Sequence, residues 1–396
     1  MTSPPWSRDT TLADIVAALS SAGATTRLVG GCVRDWLLDR PVGDLDLATT
    51  LAPRTAAKAL KKQGFRVIPT GIDHGTITVA AAGEGYEITT LRKDVATDGR
   101  HATVAFSDDW TEDAARRDFT INALYADLDG TVHDPLGTGL SDIQARQLRF
   151  AGDPQERIRE DYLRILRFFR FQSVLDVRAS QAGLAACAAQ REGLRGLSVE
   201  RIWQEMRKLL AGPNRDAVIR VMRQTEILEV ILPEARAAYA ARFSALADPD
   251  PVLALAALLD HEDARPVAVR WKLSGADRKR LIAATAPLQT GGDPGPETLR
   301  KLAYRDGKVA VRDRLLLARA DGAVVPDAQI AVLETWERPS FPLQGEDVLA
   351  LDIPPGRQVG ALLSAVEDWW IEKGFQPDRA ACLTELHRLS TREENP

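Results

Sequence analysis

The sequence predicts an α+β protein whose N-terminal part is a mixed sheet with covering helices and whose remaining part is all helical. In residues 1–141, short apolar runs alternate with helical patterns, as in a domain built on one sheet. Beyond residue 142, apolar residues recur at helical spacing and prolines separate the segments. Gly137 and Gly139 mark the expected boundary. A chain of 396 residues is long enough for two or three domains.

The elements of the N-terminal part follow from apolar runs and from the turn residues between them. Residues 26–29 form an apolar run that ends at Gly30 and Gly31, after which a helix is expected. Pro53 favours the first turn of a second helix. The polar segment 93–113 shows no clear periodicity, and we expect a functional or mobile loop there. Strands are predicted at residues 26–29, 45–49, 65–69, 76–81, 86–91 and 122–127, and helices at residues 32–39 and 53–62.

The helical part contains a local excess of positive charge. Residues 151–225 carry 14 Lys and Arg against 9 Asp and Glu, a net charge of +5, although the whole chain carries −5. A basic stretch suits contact with nucleic-acid phosphates. A solvated helix face explains the same charge almost as well.

Composition and charge exclude several classes of protein. With 45% hydrophobic and 27% charged residues, the chain is neither disordered nor collagen-like. No run approaches the roughly 20 apolar residues that cross a bilayer, and the N-terminus lacks the apolar core of a signal peptide. We therefore expect a cytoplasmic protein with no membrane partner. Cys32, Cys187 and Cys382 lie far apart, so neither a disulfide framework nor a thiolate zinc site is expected.

Gly30 and Gly31 stand between the first predicted strand and the first predicted helix. Glycines at this place let backbone amides approach a phosphate, and the start of a helix favours its negative charge. Arg34, one turn further on, could reach the same phosphate. A purely structural tight turn explains the two glycines equally well. The pattern is neither G-x-G-x-x-G nor a P-loop, which disfavours dinucleotide and Walker-type sites.

Asp44 and Asp46 lie two residues apart at the second predicted strand. Residues i and i+2 of a strand share a face, so the two carboxylates are expected side by side. Such a pair is costly unless a cation neutralises it, and Mg²⁺ takes oxygen ligands and shares them with substrate phosphates. A solvated strand end is the alternative. Together with the nearby glycines, the pair favours a site for phosphoryl transfer.

These two motifs and two later ones resemble the DNA polymerase beta-like nucleotidyltransferase superfamily. The first two are Gly-Gly-x-Val-Arg-Asp and Asp-x-Asp, in residues 30–46. Residues 116–123 and 160–171 resemble further motifs of its class II branch, which holds the tRNA nucleotidyltransferases, or CCA-adding enzymes, and the bacterial poly(A) polymerases. The resemblance implies a nucleotidyltransferase head at residues 1–141, a helical neck at 142–225 with a nucleotide-selecting helix, and a helical body and tail for tRNA binding at 226–396.

The third motif begins with two arginines. Taken alone, Arg116 and Arg117 could bind triphosphate oxygens bidentately or simply lie on the surface. Asp118 and Asn122 could bond ribose hydroxyls or tie down the turn. The resemblance implies that Arg117 binds the nucleotide and that Asp118 and Asn122 shape the ribose pocket.

The fourth motif contains Asp161, Arg164, Arg167 and Arg170 at steps of three residues, so we expect them on one face of a helix. Asp161 and Arg164 could form only a local ion pair. A carboxylate beside a guanidinium also matches the edge of cytosine or adenine, because the carboxylate accepts from the exocyclic amine. The resemblance implies that these two residues select CTP and then ATP, and that Arg167 and Arg170 contact the nucleotide.

The resemblance implies roles for two further features of the sequence. Glu87 stands where this superfamily often has a third catalytic carboxylate, although a glutamate on an edge strand is commonplace. Residues 92–106, which include 98–101, resemble the flexible loop that helps full CCA-adding enzymes to switch from CTP to ATP.

The expected function is therefore Mg²⁺-dependent addition or repair of the 3′-terminal CCA of tRNA from CTP and ATP, with release of pyrophosphate. One alternative is a poly(A) polymerase that extends RNA 3′ ends. Those enzymes often carry a strongly basic tail, whereas residues 392–396 here contain two glutamates and one arginine, so CCA addition is the favoured expectation. The other alternative, from a different class, is a catalytically inactive RNA-binding relative, which the presence of both Asp44 and Asp46 disfavours.

Overall fold

The structure is a computed structural model that describes residues 3–81, 83–97, 102–288 and 294–392. The chain forms two compact units, Met1–Ala235 and Arg236–Pro396. The expected α+β class is confirmed, because a mixed sheet lies in the first unit and the rest of the described chain is mostly helical. Within the described ranges, no helix combines the length and apolar character needed to cross a membrane.

The first unit is built on a seven-stranded sheet. Its strands and two smaller pairs are, in chain order, β1 (Thr26–Val29), β2 (Asp46–Thr49), β3 (Arg66–Gly71), β4 (Thr76–Ala81), β5 (Glu84–Thr90), β6 (Arg92–Thr97), β7 (Ala102–Phe106), β8 (Tyr125–Ala126), β9 (Val132–His133), β10 (Gln147–Leu148) and β11 (Arg178–Ala179). The large sheet has the order β3-β4-β5-β2-β1-β8-β9. Only β2 and β5 run parallel among its neighbouring pairs. β6 pairs antiparallel with β7, and β10 pairs parallel with β11.

Helices cover the sheet and continue beyond it in the same unit. They are α1 (Thr10–Ser20), α2 (Gly31–Leu37), α3 (Pro53–Lys62), α4 (Trp110–Ala115), α5 (Gly139–Gln144), α6 (Pro154–Glu160), α7 (Leu163–Val174), α8 (Gln181–Ala189), α9 (Val199–Leu210), α10 (Arg215–Gln224) and α11 (Ile227–Ile231), with short 3-10 helices at Pro5–Arg8, Ile72–His74, Thr120–Asn122 and Arg191–Gly196. Sequence signals explain several of the starts. The Asp9 carboxylate accepts from the Leu12 amide at 2.9 Å before α1, and the Asp153 carboxylate does the same for Glu156 before α6.

All secondary-structure elements in the described residues of the second unit are helices. They are α12 (Ala240–Ala245), α13 (Pro251–Ala256), α14 (His261–Arg270), α15 (Gly275–Thr285), α16 (Pro296–Asp306), α17 (Lys308–Ala320), α18 (Asp327–Thr335), α19 (Gly345–Leu349), α20 (Arg357–Glu372) and α21 (Arg379–Arg392), with a 3-10 helix at Ala237–Tyr239. One of its cores is aromatic, with the ring of Trp370 edge-on to Tyr304 and Phe341. Arg280 bridges Asp250 and the fully buried Asp313.

An aromatic cluster fixes α7 against the part of the first unit that follows the sheet. Phe168 of α7 stacks on Phe150 with ring centroids 5.2 Å apart, and Phe119 contacts both rings. Phe119, Phe150 and Phe168 are all buried. Because burial of large apolar side chains dominates packing energy, this cluster holds the arginine-bearing face of α7 in place.

Several predicted elements differ from those observed. Segment 93–113 contains the β6–β7 ribbon and α4 instead of a structureless loop, and its polar sequence has no regular apolar alternation that would indicate the strands. The strand expected at 122–127 shrinks to Tyr125–Ala126, after the 3-10 helix Thr120–Asn122. The expectation of helices alone beyond residue 142 is wrong at β10 and β11, which are too short to show a period.

Candidate active site

A cavity of about 490 Å³ opens in the first unit, lined from the sheet, α2, α7 and α9. Arginines outnumber acidic side chains in its lining, so the cavity suits a polyanionic ligand. The arginines are Arg34, Arg92, Arg116, Arg117, Arg164, Arg167 and Arg201, and the acidic residues are Asp46, Glu87, Asp118 and Asp161. Of the site residues expected from the sequence, Asp44 and Arg170 lie outside this lining and all the others belong to it.

The two glycines form the turn between β1 and α2. Gly30 has φ +76°, a conformation that L side chains rarely adopt. A Cβ on Gly30 would also lie 3.5 Å from Nη1 of Arg117. The backbone conformation therefore favours glycine at this position, whereas a Cβ would make only an ordinary contact with the Arg117 guanidinium.

Asp46 and Glu87 face each other across the parallel pair β2–β5, where they are register partners. Burial raises the pKa of Asp46 to about 6, and the charges of Glu87 and Asp44 contribute further. Partnered residues of adjacent strands project from the same face, so the sheet gathers two carboxylates at the cavity.

Asp44 occupies a different environment. β2 begins at Asp46, so Asp44 lies in a bend before the strand and is exposed. It lines a neighbouring cavity of about 450 Å³ together with Asp9 and Glu84. The strand alternation from which the pair Asp44 and Asp46 was expected is therefore absent, although the charge of Asp44 still acts on Asp46.

The acidic side of the cavity fits a hard divalent cation by its chemistry. Its donors are carboxylate oxygens of Asp46 and Glu87, which are register partners on β2 and β5, and the pKa of Asp46 is raised first by burial and then by the charges of Glu87 and Asp44. In the part of the chain that the structure describes, no group of three or more His, Cys, Asp or Glu side chains is arranged to hold a metal ion. An ion bound there would take further ligands from a substrate, as Mg²⁺ does with phosphates.

Arg116 and Arg117 are held by a carboxylate that the sequence analysis did not single out. Asp113 of α4 accepts hydrogen bonds from both guanidinium groups, and the Tyr125 hydroxyl donates to it at 2.7 Å. Burial favours a higher pKa for Asp113, but the charges of Arg117 and Arg116 outweigh it and lower the pKa to about 2. Both arginines are thus ordered at the cavity wall.

Asp118 and Asn122 form a connected polar group with two arginines. Arg167 Nε donates to Asp118 Oδ2 at 2.8 Å, and Asn122 Nδ2 donates to Asp118 Oδ1 at 2.9 Å. Arg34 Nη1 donates to Asn122 Oδ1 at 2.7 Å. Burial would raise the pKa of Asp118, yet Arg167 and Asn122 hold it below its ordinary value. These hydrogen bonds link the segment that contains Asp118 and Asn122 to helix α7.

Asp161 does not lie within a helix. It ends α6 in an extended conformation, φ −156° and ψ 107°, and α7 begins only at Leu163. The expectation that Asp161 and Arg164 share one helix is therefore wrong, although both line the cavity. Asp161 Oδ1 accepts from the Leu163 amide at 3.1 Å, and Arg201 Nη2 of α9 pairs with Oδ2 at 2.6 Å.

Arg164 and Arg170 are both engaged by neighbouring groups. Arg164 Nη1 donates to the Arg157 carbonyl at 2.7 Å and to the Glu160 carboxylate. Arg170 pairs with Glu205 at 3.1 Å and lies over the ring of Phe171, 4.2 Å from its centroid. Arg170 is thus an anchor between α7 and α9 in this structure and does not line the cavity.

Sequence reasoning missed three residues that shape the site, namely Asp113, Arg92 and Arg201. Asp113 could have been found, because it precedes Arg116 and Arg117 by three and four residues, the spacing of ion pairs on a helix. Nothing local links Arg201 to Asp161, since the two are 40 residues apart in the chain. Residues 98–101 of the expected flexible loop lie outside the described residues.

Comparison with known families places these features in context. Residues 26–149 match the family described as "Poly A polymerase head domain", and residues 180–239 match "Probable RNA and SrmB- binding site of polymerase A". The first match spans the glycine turn, both strands of the carboxylate pair and the Arg117 region. The fold and the cavity therefore define a nucleotidyltransferase with a polymerase-type head.

Comparison with individual proteins shows which kind of nucleotidyltransferase this chain is similar to. The chain is 34% identical over 385 residues to human mitochondrial CCA tRNA nucleotidyltransferase 1, covering 91% of this chain and 86% of that protein. It is 30% identical over 391 residues to the CCA-adding enzyme of Enterococcus faecalis, covering 94% of each. The crystal structure of the Bacillus stearothermophilus CCA-adding enzyme in complex with CTP superposes with a TM-score of 0.79 at 27% identity, over 99% of this chain and 100% of that one. The chain belongs to the family of CCA tRNA nucleotidyltransferases, and the expected family and enzyme class are confirmed.

Proposed function

We propose that the cavity of about 490 Å³ is the active site in which CTP and ATP react with the 3′ end of tRNA. The observation that carries this proposal is the convergence of three groups on one cavity: the carboxylates Asp46 and Glu87, the arginines Arg116 and Arg117, and the base-edge pair Asp161 and Arg164. These groups suit, respectively, the reacting phosphate, the triphosphate and the base. The Bacillus stearothermophilus relative was solved in complex with CTP, which supports a nucleotide in this fold.

In the proposed reaction, the 3′-hydroxyl oxygen of the RNA attacks the α-phosphorus of the nucleotide. The bond from that phosphorus to the oxygen bridging to the β-phosphate breaks, and pyrophosphate leaves. Glu87 is the group we assign to accept the hydroxyl proton, because it lies opposite Asp46 at the cavity. Positioning of the two reactants supplies much of the rate, as in other phosphoryl transfers.

Asp44 and Asp46 are the proposed ligands of Mg²⁺. Asp46 lines the cavity, and Asp44 is close enough for its charge to raise the Asp46 pKa. Bound there, Mg²⁺ would neutralise charge on the triphosphate and on the reacting oxygens. Asp44 is exposed and precedes the strand, so its carboxylate has the freedom to turn toward the shared ion.

The triphosphate and ribose are assigned to the head. Gly30 and Gly31 allow close approach of the backbone, while Arg34 and Arg117 offer guanidinium donors to phosphate oxygens. Asp118 and Asn122, already linked by a hydrogen bond, are the proposed ribose contacts.

The base is assigned to Asp161, which precedes α7, and to Arg164 of α7. Arg167 and Arg170, further along α7, are the proposed additional nucleotide contacts, and Arg170 would have to leave its pair with Glu205 to make one. A carboxylate accepts from the exocyclic amine of cytosine or adenine, and the guanidinium donates to ring nitrogen or carbonyl. Uracil and guanine place a carbonyl opposite the carboxylate, which leaves two acceptors facing each other and strongly disfavours them. The pair with Arg201 supports this assignment, since it fixes the Asp161 carboxylate at the cavity.

Residues outside the cavity are proposed to bind the rest of the tRNA. We divide the chain into a head at 1–141, a neck at 142–225 and a body and tail at 226–396. The match of residues 180–239 to an RNA-binding family and the net charge of +5 in 151–225 support RNA contacts there. The cytoplasm is the proposed location of the reaction.

The test uses the purified full chain and a tRNA transcript that ends before CCA. With CTP alone we expect two added nucleotides, and with CTP and ATP together we expect three. Long adenosine tails on unrelated RNA would favour a poly(A) polymerase instead. Asp46→Ala should abolish incorporation, whereas the control Asp129→Asn, which keeps the acceptor for the Thr131 amide on an exposed turn, should not. Full activity of Asp46→Ala would contradict the assigned site, and no incorporation by the wild type would indicate an inactive relative.

A further inference from the structure

Asp113 is a buried carboxylate that the proposed reaction does not use directly. Its exposed fraction is 1%, and it lies in α4 behind the cavity wall. Oδ1 accepts from Nε and Nη2 of Arg116 at 2.8 and 2.7 Å. Oδ2 accepts from Nε and Nη2 of Arg117 at 3.2 and 3.0 Å, and from the Tyr125 hydroxyl at 2.7 Å. One carboxylate thus binds two consecutive arginines through two nitrogens each.

The Asp113 carboxylate offsets the unfavourable free energy of placing two arginine side chains next to each other. Their like charges repel, and each long side chain loses considerable rotamer freedom when it is fixed. Asp113 reaches both, because it precedes them by three and four residues. Its bonds to Arg117 use Nε and Nη2, while Nη1 of Arg117 is the atom that approaches Gly30 of the phosphate-site turn.

A third arginine is tied to the same carboxylate through its backbone. The amide of Arg92 donates to Asp113 Oδ1 at 3.3 Å at the start of β6, and Arg92 also lines the cavity. Asp113 therefore connects the root of the β6–β7 ribbon with both arginines of the third motif.

We infer that Asp113 is a positioning residue for the nucleotide triphosphate, acting through Arg116 and Arg117. It holds the two guanidinium groups at the cavity before the nucleotide arrives, so that binding does not have to order them. The inference rests on the proposed function, in which Arg117 binds the triphosphate. It adds a residue whose only contact with substrate is through other side chains.

The test compares Asp113→Asn with wild type in the tRNA extension assay. Asn keeps the size but loses the charge and one of the two acceptor oxygens. We expect the KM for CTP and for ATP to rise roughly tenfold or more, since hydrogen bonds to charged groups are the strong ones, while kcat changes little. The Kd of CTP should rise by a similar factor, and that of CMP, which lacks the β- and γ-phosphates, should change far less. A purely structural role would lower the active fraction, and hence kcat, without changing KM.

Glu112→Gln is the matched control. Glu112 is the preceding residue of α4, and its carboxylate contacts Lys93 and Ser107 instead of the cavity arginines. We expect its KM values to equal those of the wild type. A KM for Asp113→Asn equal to that of Glu112→Gln would overturn the inference.

A double-mutant cycle with Arg117→Ala separates this inference from the proposed function. If Asp113 acts through the arginines, Asp113→Asn should raise the KM by a much smaller factor in the Arg117→Ala protein than in the wild type. Full additivity would overturn the inference while leaving the site intact. An Arg117→Ala protein with wild-type KM would instead contradict the assigned triphosphate site.

A second variant covers the case in which Asp113→Asn does not fold. Tyr125→Phe removes one donor to Asp113 and one contact of Arg117 Nε but leaves every charge in place. We expect a KM raised roughly threefold with kcat retained, because a single neutral hydrogen bond contributes less than the charged ones. A KM unchanged in Tyr125→Phe would count against the inference.

Discussion

Tyr162 lies directly against Gly193, and its ring fills the space that a side chain on Gly193 would need. A Cβ at that position would come within 2.0 Å of Cδ1 of the ring. Tyr162 stands in the break between α6 and α7, next to Asp161, whereas Gly193 belongs to the 3-10 helix Arg191–Gly196. The bare backbone of Gly193 therefore helps to fix the break that presents Asp161 to the cavity.

Gly193→Ala should displace Tyr162 and, with it, Asp161. We expect the free energy of unfolding to fall by about 1–3 kcal/mol, as for other overpacked sites, and kcat/KM for CTP and ATP to fall as well. Denaturant unfolding and the tRNA extension assay measure the two effects. Gly196→Ala is the control in the same 3-10 helix, because nothing lies within 4 Å of its Cβ position. Equal behaviour of the two variants would contradict the close packing.

Asp46→Asn should stabilise the metal-free protein, although we expect it to abolish activity. The pKa of Asp46 is about 6 in the fold, above its ordinary value of 3.8, because of burial and then the charges of Glu87 and Asp44. The ionised carboxylate therefore destabilises the fold, by an amount that grows as pH rises from about 4 through 6. At pH 8 we expect a gain of about 1 kcal/mol after allowing for partial solvent screening, and near pH 3.5 almost none. Chemical denaturation of both proteins in chelator at several pH values checks this, and a gain independent of pH would contradict it.

Asp113 should contribute to stability with the opposite pH dependence. Burial alone would raise its pKa, but Arg117 and Arg116 lower it to about 2, below the ordinary 3.8. The carboxylate therefore stabilises the fold fully above pH 4, and this contribution is lost as pH falls from about 4 through 2. We expect the unfolding free energies of wild type and Asp113→Asn to differ by about 2 kcal/mol or more from pH 5 to 8, and the difference to shrink as pH falls from about 4 through 2. A constant difference down to pH 2 would argue against the two ion pairs.

Asp161→Asn should relax the choice of base. An amide offers a donor as well as an acceptor, so it can face the carbonyl of uracil or guanine, which a carboxylate cannot. We expect the preference for CTP over UTP, measured as the ratio of kcat/KM values, to fall about 10- to 100-fold. The matched control is Asp176→Asn, whose carboxylate is 83% exposed and pairs only with Arg146 among the contacts described. An unchanged preference would mean that Asp161 does not face the base.

Much of the head could be predicted from the sequence because its signals are local. The strands Thr26–Val29 and Thr76–Ala81 and the helix Pro53–Lys62 coincide with the predicted ranges, since apolar runs, Gly30–Gly31 and Pro53 mark their ends. All the predicted site residues except Asp44 and Arg170 line the cavity, and they come from the four short motifs and from Glu87 of β5.

The remainder depends on contacts that leave no local pattern. The break at Asp161 has neither proline nor glycine, and it exists because Tyr162 packs on Gly193 and Arg201 pairs with Asp161. Steps of three residues therefore suggested one helix where there are two. Asp44 was expected on β2, but the strand starts only at Asp46, where pairing with Glu87 of β5 begins.

The parallel pairing of β2 with β5 brings together two carboxylates from parts of the chain that are far apart in sequence. Asp46 and Glu87 are 41 residues apart in sequence, and the crossover between their strands contains α3 and the antiparallel pair β3–β4. Loop closure of this length must precede their meeting, so nascent chains that end before residue 84 contain Asp46 without its partner. The carboxylate pair should therefore form abruptly during synthesis, when β5 inserts between β4 and β2.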